Sequence, residues 1–137
     1  MDRENKWMIN DLSNDIFNTN LEVGWWERDE AREMVATLVD KRPLTKSQAT
    51  LIASKLALCH SELSEALEGM RKGLMDDHLP HRPMVEVELA DTIIRILDLS
   101  GFMNLDIGGA IQEKLEYNKS RQDHKKENRE SQGGKTI

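Results

Sequence analysis

Apolar residues recur every three or four positions over the first third of the chain, which is the spacing of one face of an α-helix. The pattern predicts a helix over residues 6–20 and a shorter helix over residues 28–40. The sequence Gly-Trp-Trp at residues 24–26 separates the two, and the proline at residue 43 ends the second, because proline cannot continue a helix. The apolar face of the first helix is formed by Met8, Ile9, Leu12 and Ile16.

A third helix is predicted from Thr45 to about Lys72. Thr45 followed by Gln48 is a capping-box pattern, in which each side chain bonds the backbone N–H of the other residue. Gly73 is expected to end the helix, because glycine readily takes the left-handed conformation found after helix ends. The apolar stripe of this helix comprises Leu56, Cys59, Leu63, Leu67 and Met70.

A fourth helix is predicted to begin at Pro83, which suits a first helical turn, and to end at the Ser-Gly pair of residues 100–101. Its apolar surface is too wide for one partner helix to cover. We therefore expect this helix to be central or to lie at a subunit interface. The wide surface comprises Val85, Val87, Leu89, Ala90, Ile93, Ile94, Ile96 and Leu97.

The last helix is capped by Asp106 or Asn104 and runs to about Arg121. The sequence therefore predicts an all-α bundle over residues 1–121, followed by a polar C-terminal tail over residues 122–137. Composition agrees, because 32% of the residues are charged, only 4% are aromatic and three are proline. At 137 residues the chain is long enough for one domain with a core of its own.

Charge and composition also indicate which partners and which cellular compartment to expect. A net charge of −6 argues against a nucleic-acid-binding protein. No apolar run of about 18 residues is present, so we expect no membrane span. A single cysteine forms no internal disulfide, which suits the reducing cytoplasm.

Two pairs of carboxylates carry the candidate chemistry. Glu62 and Glu65 lie on the third helix, and Glu88 and Asp91 lie on the fourth. Residues three apart share a helix face, so each pair projects two carboxylates to one side. If the two helices pack antiparallel, four like charges meet, and a cation is needed to neutralise them. Oxygen ligands without sulfur or imidazole favour magnesium, with manganese as the alternative.

Two further groups are candidate substrate contacts. Lys114, Asn118 and Arg121 share a face of the last helix, and two cations with an amide suit a polyphosphate. An ordinary solvated helix face remains the alternative for this group. Trp25 and Trp26 could stack on a nucleobase, or one of them could anchor the core while the other lies at an interface.

The motif helices resemble the MazG-like branch of the all-α nucleoside triphosphate pyrophosphohydrolases. The matching segments are LALCHSELSEALE at residues 56–68, EVELADTIIR at residues 86–95 and EKLEYNKSR at residues 113–121. Together the three segments place the resemblance over residues 50–125. Residues 27–48 depart from the family pattern and look like an insertion.

The resemblance implies that residues 1–121 form a pyrophosphohydrolase domain. Such a domain hydrolyses a nucleoside triphosphate, in this case a deoxynucleoside triphosphate, to the monophosphate and pyrophosphate. It further implies that the four carboxylates hold magnesium, that Glu62 or Glu65 accepts the proton of the attacking water, and that the chain forms a homodimer or homotetramer. The phosphates would be held by Lys114, Asn118 and Arg121. The alternative is a non-enzymatic helical interaction or regulatory module with solvated carboxylates.

Overall fold

The computed structural model describes residues 3–121 and 125–133, and within these ranges the protein is all-helical, as predicted. The sole extended pairing there is an isolated bridge between Met75 and Pro83. None of the described helices is both long and apolar enough to cross a membrane. The helices are α1 (Arg3–Glu22), α2 (Arg28–Val39), α3 (Lys46–Lys72), α4 (Met84–Phe102), α5 (Ile107–Ser120) and the short α6 (Lys126–Arg129).

The chain divides into two compact units. The larger unit comprises Asp11–Leu105 and holds most of α1 together with α2, α3 and α4. The smaller unit comprises Met1–Asn10 and Asp106–Ile137. The predicted boundary at residue 121, between the helical domain and the polar C-terminal tail, stays a prediction.

The core of the larger unit is built around Trp26. Its indole stacks on Phe102 with the ring centroids 4.2 Å apart, and Phe17 of α1 meets both rings edge-on. Met34 of α2 is fully buried against the same cluster. Aromatic stacking of this kind fixes how α1, α2 and α4 pack, because ring pairs add orientation to simple apolar burial.

The prediction that the Ser-Gly pair ends the fourth helix was wrong, since α4 continues to Phe102. Gly101 is instead a point of close approach between α1 and α4. A Cβ atom at this position would lie 2.5 Å from Cβ of Phe17 and 2.8 Å from the carbonyl oxygen of Ser13. The glycine is therefore required by packing, and the chain reverses later, at Asn104, which has a φ of 50°.

The two motif helices, α3 and α4, pack directly against each other. They run antiparallel, since the end of α3 at Gly69 faces the start of α4 at Met84. The predicted capping box opens α3, with both bonds between Thr45 and Gln48 present. Gly73 ends α3 in the left-handed conformation, with a φ of 62°, also as predicted. Both ends of α3 are thus set by local signals that the sequence carries.

The smaller unit is organised by the start of α5. Asp106 caps the helix by accepting a hydrogen bond from the backbone N–H of Gly109, which confirms one of the two predicted caps. Its carboxylate also accepts a hydrogen bond from Asn10 and pairs with Lys6 at 3.0 Å. These contacts, led by the hydrogen bonds from Asn10 and Lys6, lower the pKa of Asp106 to about 2.

Candidate functional site

Three of the four predicted carboxylates meet between α3 and α4. Glu62, Glu65 and Glu88 each offer an oxygen, and these three oxygens all lie within 4.8 Å of one another. Glu62 and Glu88 are buried, whereas Glu65 is exposed. The antiparallel packing of two helices with carboxylates at three-residue spacing produces this arrangement, as the sequence predicted.

The cluster is electrostatically strained in the absence of a cation. Burial raises the pKa of Glu88 to about 7, assisted by a hydrogen bond with Glu62 and by the negative charges of Glu65, Glu62 and Asp91. Two carboxylates form such a hydrogen bond only when one of them holds a proton. The cluster therefore retains a proton at pH values where an ordinary glutamate has lost it, and a divalent cation would relieve the same repulsion.

Arg95 contacts the carboxylate cluster directly. Its Nε donates a hydrogen bond to Oε1 of Glu62 at 2.5 Å. Arg95 lies one turn after Asp91 on α4, but its guanidinium reaches across to the neighbouring helix. Its charge still lowers the pKa of Asp91, against the larger effects of burial and of Glu62, which raise it. Arg95 thus links the two carboxylate pairs.

Asp91 lies at the edge of the site and outside the cluster of three. It is half-buried, and the charges of Asp76 and His78 also act on its pKa. These two residues belong to the loop between α3 and α4. There the buried carboxylate of Asp76 accepts hydrogen bonds from the backbone N–H groups of His78 and Leu79. Hydrogen bonds within the loop therefore hold its charged residues near Asp91.

A cavity of about 210 Å³ adjoins this edge of the site. Its lining includes Asn20 of α1, Trp25, Lys55 of α3, and Asp91, Arg95 and Asp98 of α4. Asp91 and Arg95 belong to both the carboxylate site and the cavity. A ligand in the cavity would therefore reach the carboxylates directly.

The two adjacent tryptophans have different environments. Trp26 is 3% exposed, and its Nε1 donates to Oδ1 of Asp98 at 2.8 Å, so it is an anchor of the core. Trp25 is 73% exposed and lines the cavity. Lys55 connects the pair, because its ammonium lies 4.0 Å from the centroid of Trp26 and donates to the carbonyl oxygen of Trp25. Of the two indoles, Trp25 is the one that a ligand can reach.

The predicted phosphate-binding group belongs to the smaller unit. Lys114 lies over the ring of Tyr117, 4.7 Å from its centroid. Oδ1 of Asn118 is fully enclosed and has no hydrogen-bond partner among the described residues. The backbone N–H of Arg121 caps α5 by bonding to the carbonyl oxygen of Asn118. A role for Lys114, Asn118 and Arg121 at the carboxylate site stays a prediction.

Three residues beside the site were not found from the sequence, namely Asp76, Asp98 and Lys55. Asp98 carried a usable signal, because it follows Asp91 by seven residues and so lies on the same helix face. Asp76 carried another signal, because an aspartate side chain commonly accepts a hydrogen bond from the backbone N–H two residues later, which forms a turn. Lys55 carried none, because its position depends on where Trp25 and Trp26 fold.

The comparisons with known proteins give no match: the chain is matched by no protein-family model, no curated protein and no solved structure.

Proposed function

We propose that the protein is a magnesium-dependent nucleoside triphosphate pyrophosphohydrolase of the MazG-like type. It would cleave a nucleoside triphosphate, a deoxynucleotide by the family resemblance, between the α- and β-phosphates, giving the monophosphate and pyrophosphate. The observation that carries the proposal is the convergence of Glu62, Glu65 and Glu88 within 4.8 Å at the antiparallel contact of α3 and α4.

The donor set fits a hard divalent cation. All three ligand atoms are carboxylate oxygens, and the cluster contains no sulfur or imidazole, so magnesium or manganese suits it better than zinc. Glu62, Glu65 and Glu88 would hold the ion, with Asp91 at the edge of the site as a fourth ligand. When bound there, the ion would screen the carboxylates from the substrate phosphates and polarise the phosphoryl group under attack.

The chain's own residues supply orientation and proton transfer. Arg95 holds Glu62 in place through the bond between Nε and Oε1. Glu65 is exposed, so it is the carboxylate that an attacking water can reach, and we assign it the role of general base. Trp25 offers its exposed ring to the nucleoside. A phosphate-binding role for Lys114, Asn118 and Arg121 stays what the family resemblance implies.

The proposal includes assembly into a homodimer or homotetramer. Large apolar side chains remain exposed on both motif helices, including Leu63 and Leu67 of α3 and Leu89 and Ile93 of α4. Exposed apolar surface on this scale is typical of a protein interface. A second copy of the chain would cover it, since symmetric self-association is the commonest way that such faces are buried.

The direct test is magnesium-dependent release of pyrophosphate from a panel of nucleoside triphosphates. Glu65→Gln keeps the shape of the side chain and removes its charge and its proton acceptor, so turnover should fall by about 100-fold or more. Glu68→Gln is the matched control, because Glu68 lies on the same helix, pairs with Lys72 and is outside the cluster. Equal activity of the two variants would show that the carboxylates are misassigned.

The same experiment separates the enzyme from a non-enzymatic interaction module. An enzyme of the proposed kind should also be stabilised against heat by magnesium, because the ion binds the folded state alone. If magnesium neither supports turnover nor raises the melting temperature, the carboxylates are solvated charges. The hypothesis of a non-enzymatic interaction module is then the correct one.

A further inference from the structure

The cavity beside the carboxylates has a polar group at each end of one helix face. Asp91 lies at the end nearest the carboxylate cluster, and Asp98 lies seven residues further along α4. Seven residues of α-helix span about 10 Å. This length is comparable to that of a nucleotide from its phosphate to the far edge of its base. A nucleotide whose phosphate lies at Asp91 and its ion would therefore place its base beside Asp98.

The cavity also offers apolar surface for a planar ring. Trp25 and Ile94 both line it, and both side chains are exposed to solvent. Lys55 donates a hydrogen bond to the backbone carbonyl oxygen of Trp25, which ties this part of the backbone to α3. An exposed indole is a surface on which a nucleobase stacks, whatever its identity. Selection among bases must therefore come from a polar group.

Asp98 is that polar group. It is only 8% exposed, and its Oδ1 accepts a hydrogen bond from Nε1 of Trp26. No ion pair or second hydrogen bond to its side chain is present among the described residues. Oδ2 of Asp98 is not among the fully enclosed side-chain atoms that lack a partner in the described residues. It therefore keeps contact with solvent. Solvent in the open cavity can donate to this oxygen, so a bound base that displaces the water must offer an N–H donor in its place.

We propose that this cavity is the nucleoside subsite, and that Asp98 selects bases that carry an exocyclic amino group (cytosine, adenine and guanine) over uracil and thymine. The inference rests on the proposed function for the placement of the phosphate. An amino group donates to Oδ2, as carboxylates accept from the amino group of cytosine elsewhere. The carbonyl oxygen that uracil has at the same position would face the carboxylate acceptor to acceptor, which repels.

Binding of CMP and UMP to the full-length chain, measured by calorimetry in the presence of magnesium, tests the selection. The two ligands differ only in an amino group and a carbonyl oxygen. CMP should bind more tightly than UMP by at least about tenfold. Asp98→Asn should bring the ratio of affinities to one or invert it. The indole N–H of Trp26 needs an acceptor, so the amide oxygen would face Trp26 and the amide NH₂ would face the cavity.

Two further variants keep the test decisive. Asp29→Asn makes the same chemical change at an exposed carboxylate that pairs with Arg32, and it should leave the ratio unchanged. Trp25→Ala removes an exposed side chain, so it should fold, and it should weaken CMP and UMP equally, by about tenfold or more. Unchanged binding of both nucleotides to Trp25→Ala would show that the base does not bind in this cavity.

Three results would overturn the selection by Asp98: equal binding of CMP and UMP, no binding of either nucleotide, or a preference for CMP that survives in folded Asp98→Asn. The proposed reaction fails separately. If the preference for CMP is present but no triphosphate releases pyrophosphate, the subsite stands and the hydrolysis is wrong. If pyrophosphate is released without any preference, the hydrolysis stands and the role of Asp98 is wrong.

Discussion

Glu88→Gln should stabilise the protein at alkaline pH when no divalent cation is present. In the folded chain the pKa of Glu88 is raised from 4.5 to about 7 by burial, by the hydrogen bond with Glu62 and by neighbouring negative charges. Between these two values the folded state holds a proton that the unfolded state has lost, so stability falls as pH rises. Glutamine stays neutral and escapes this loss.

The expected gain follows from the size of the pKa shift. A displacement from 4.5 to about 7 corresponds to at most about 3 kcal/mol of unfolding free energy above pH 7, and to less where water reaches the exposed part of the cluster. For a chain of 137 residues this is a rise in melting temperature of up to about 10 °C. Near pH 4.5 both side chains are largely neutral, so the two proteins should melt together.

Thermal and urea unfolding with a chelator, at pH 4.5 and at pH 8, measures the difference. Glu86→Gln is the control, because it makes the same change on the same helix at an exposed side chain that pairs with Arg82. That variant should lose a few tenths of a kcal/mol at most, on the order of one surface ion pair. The reasoning is refuted if Glu88→Gln is less stable than the natural sequence at pH 8, or if its advantage is the same at both pH values.

Two other predictions concern packing and assembly. Gly101→Ala should destabilise the protein by about 1–3 kcal/mol in urea unfolding, because the added methyl group would meet Phe17 and the backbone of Ser13. An unchanged unfolding midpoint would show that α1 and α4 do not approach each other at this point. Light scattering should give a mass of at least twice 15.7 kDa, and Ile93→Glu should return the chain to 15.7 kDa by charging an exposed apolar position of α4. A natural chain that is already monomeric at low micromolar concentration would refute the assembly.

Local signals in the sequence account for most of the helices. The capping box at Thr45, the left-handed Gly73 and the cap at Asp106 are all present where residue type and spacing placed them. The predicted end of α4 was one residue early because Gly101 was taken as a helix stop. Its actual requirement is the approach of Phe17, more than 80 residues earlier in the chain, and a local pattern carries no information about such a contact.

The site divides in the same way. The three-residue spacing predicted that four carboxylates meet where the two helices pack antiparallel, and Glu62, Glu65 and Glu88 do so. Asp91, the fourth, lies outside this cluster. The bond from Arg95 to Glu62 was not predictable, nor was which of Trp25 and Trp26 is buried, since each depends on how the helices are placed side by side. Arg95 lies one turn after Asp91 on the same helix, yet its hydrogen bond goes to Glu62 on the other helix.

The most direct test of the central claim is the fate of oxygen when CTP is hydrolysed in H₂¹⁸O with magnesium. Attack at the α-phosphorus should give ¹⁸O-labelled CMP and unlabelled pyrophosphate, and Glu65→Gln should form both at least about 100-fold more slowly. Formation of CDP with labelled orthophosphate would place the attack at the γ-phosphorus, and labelled pyrophosphate would place it at the β-phosphorus. Either result, or no hydrolysis of any nucleoside triphosphate, would contradict the assignment of this carboxylate cluster to pyrophosphate release.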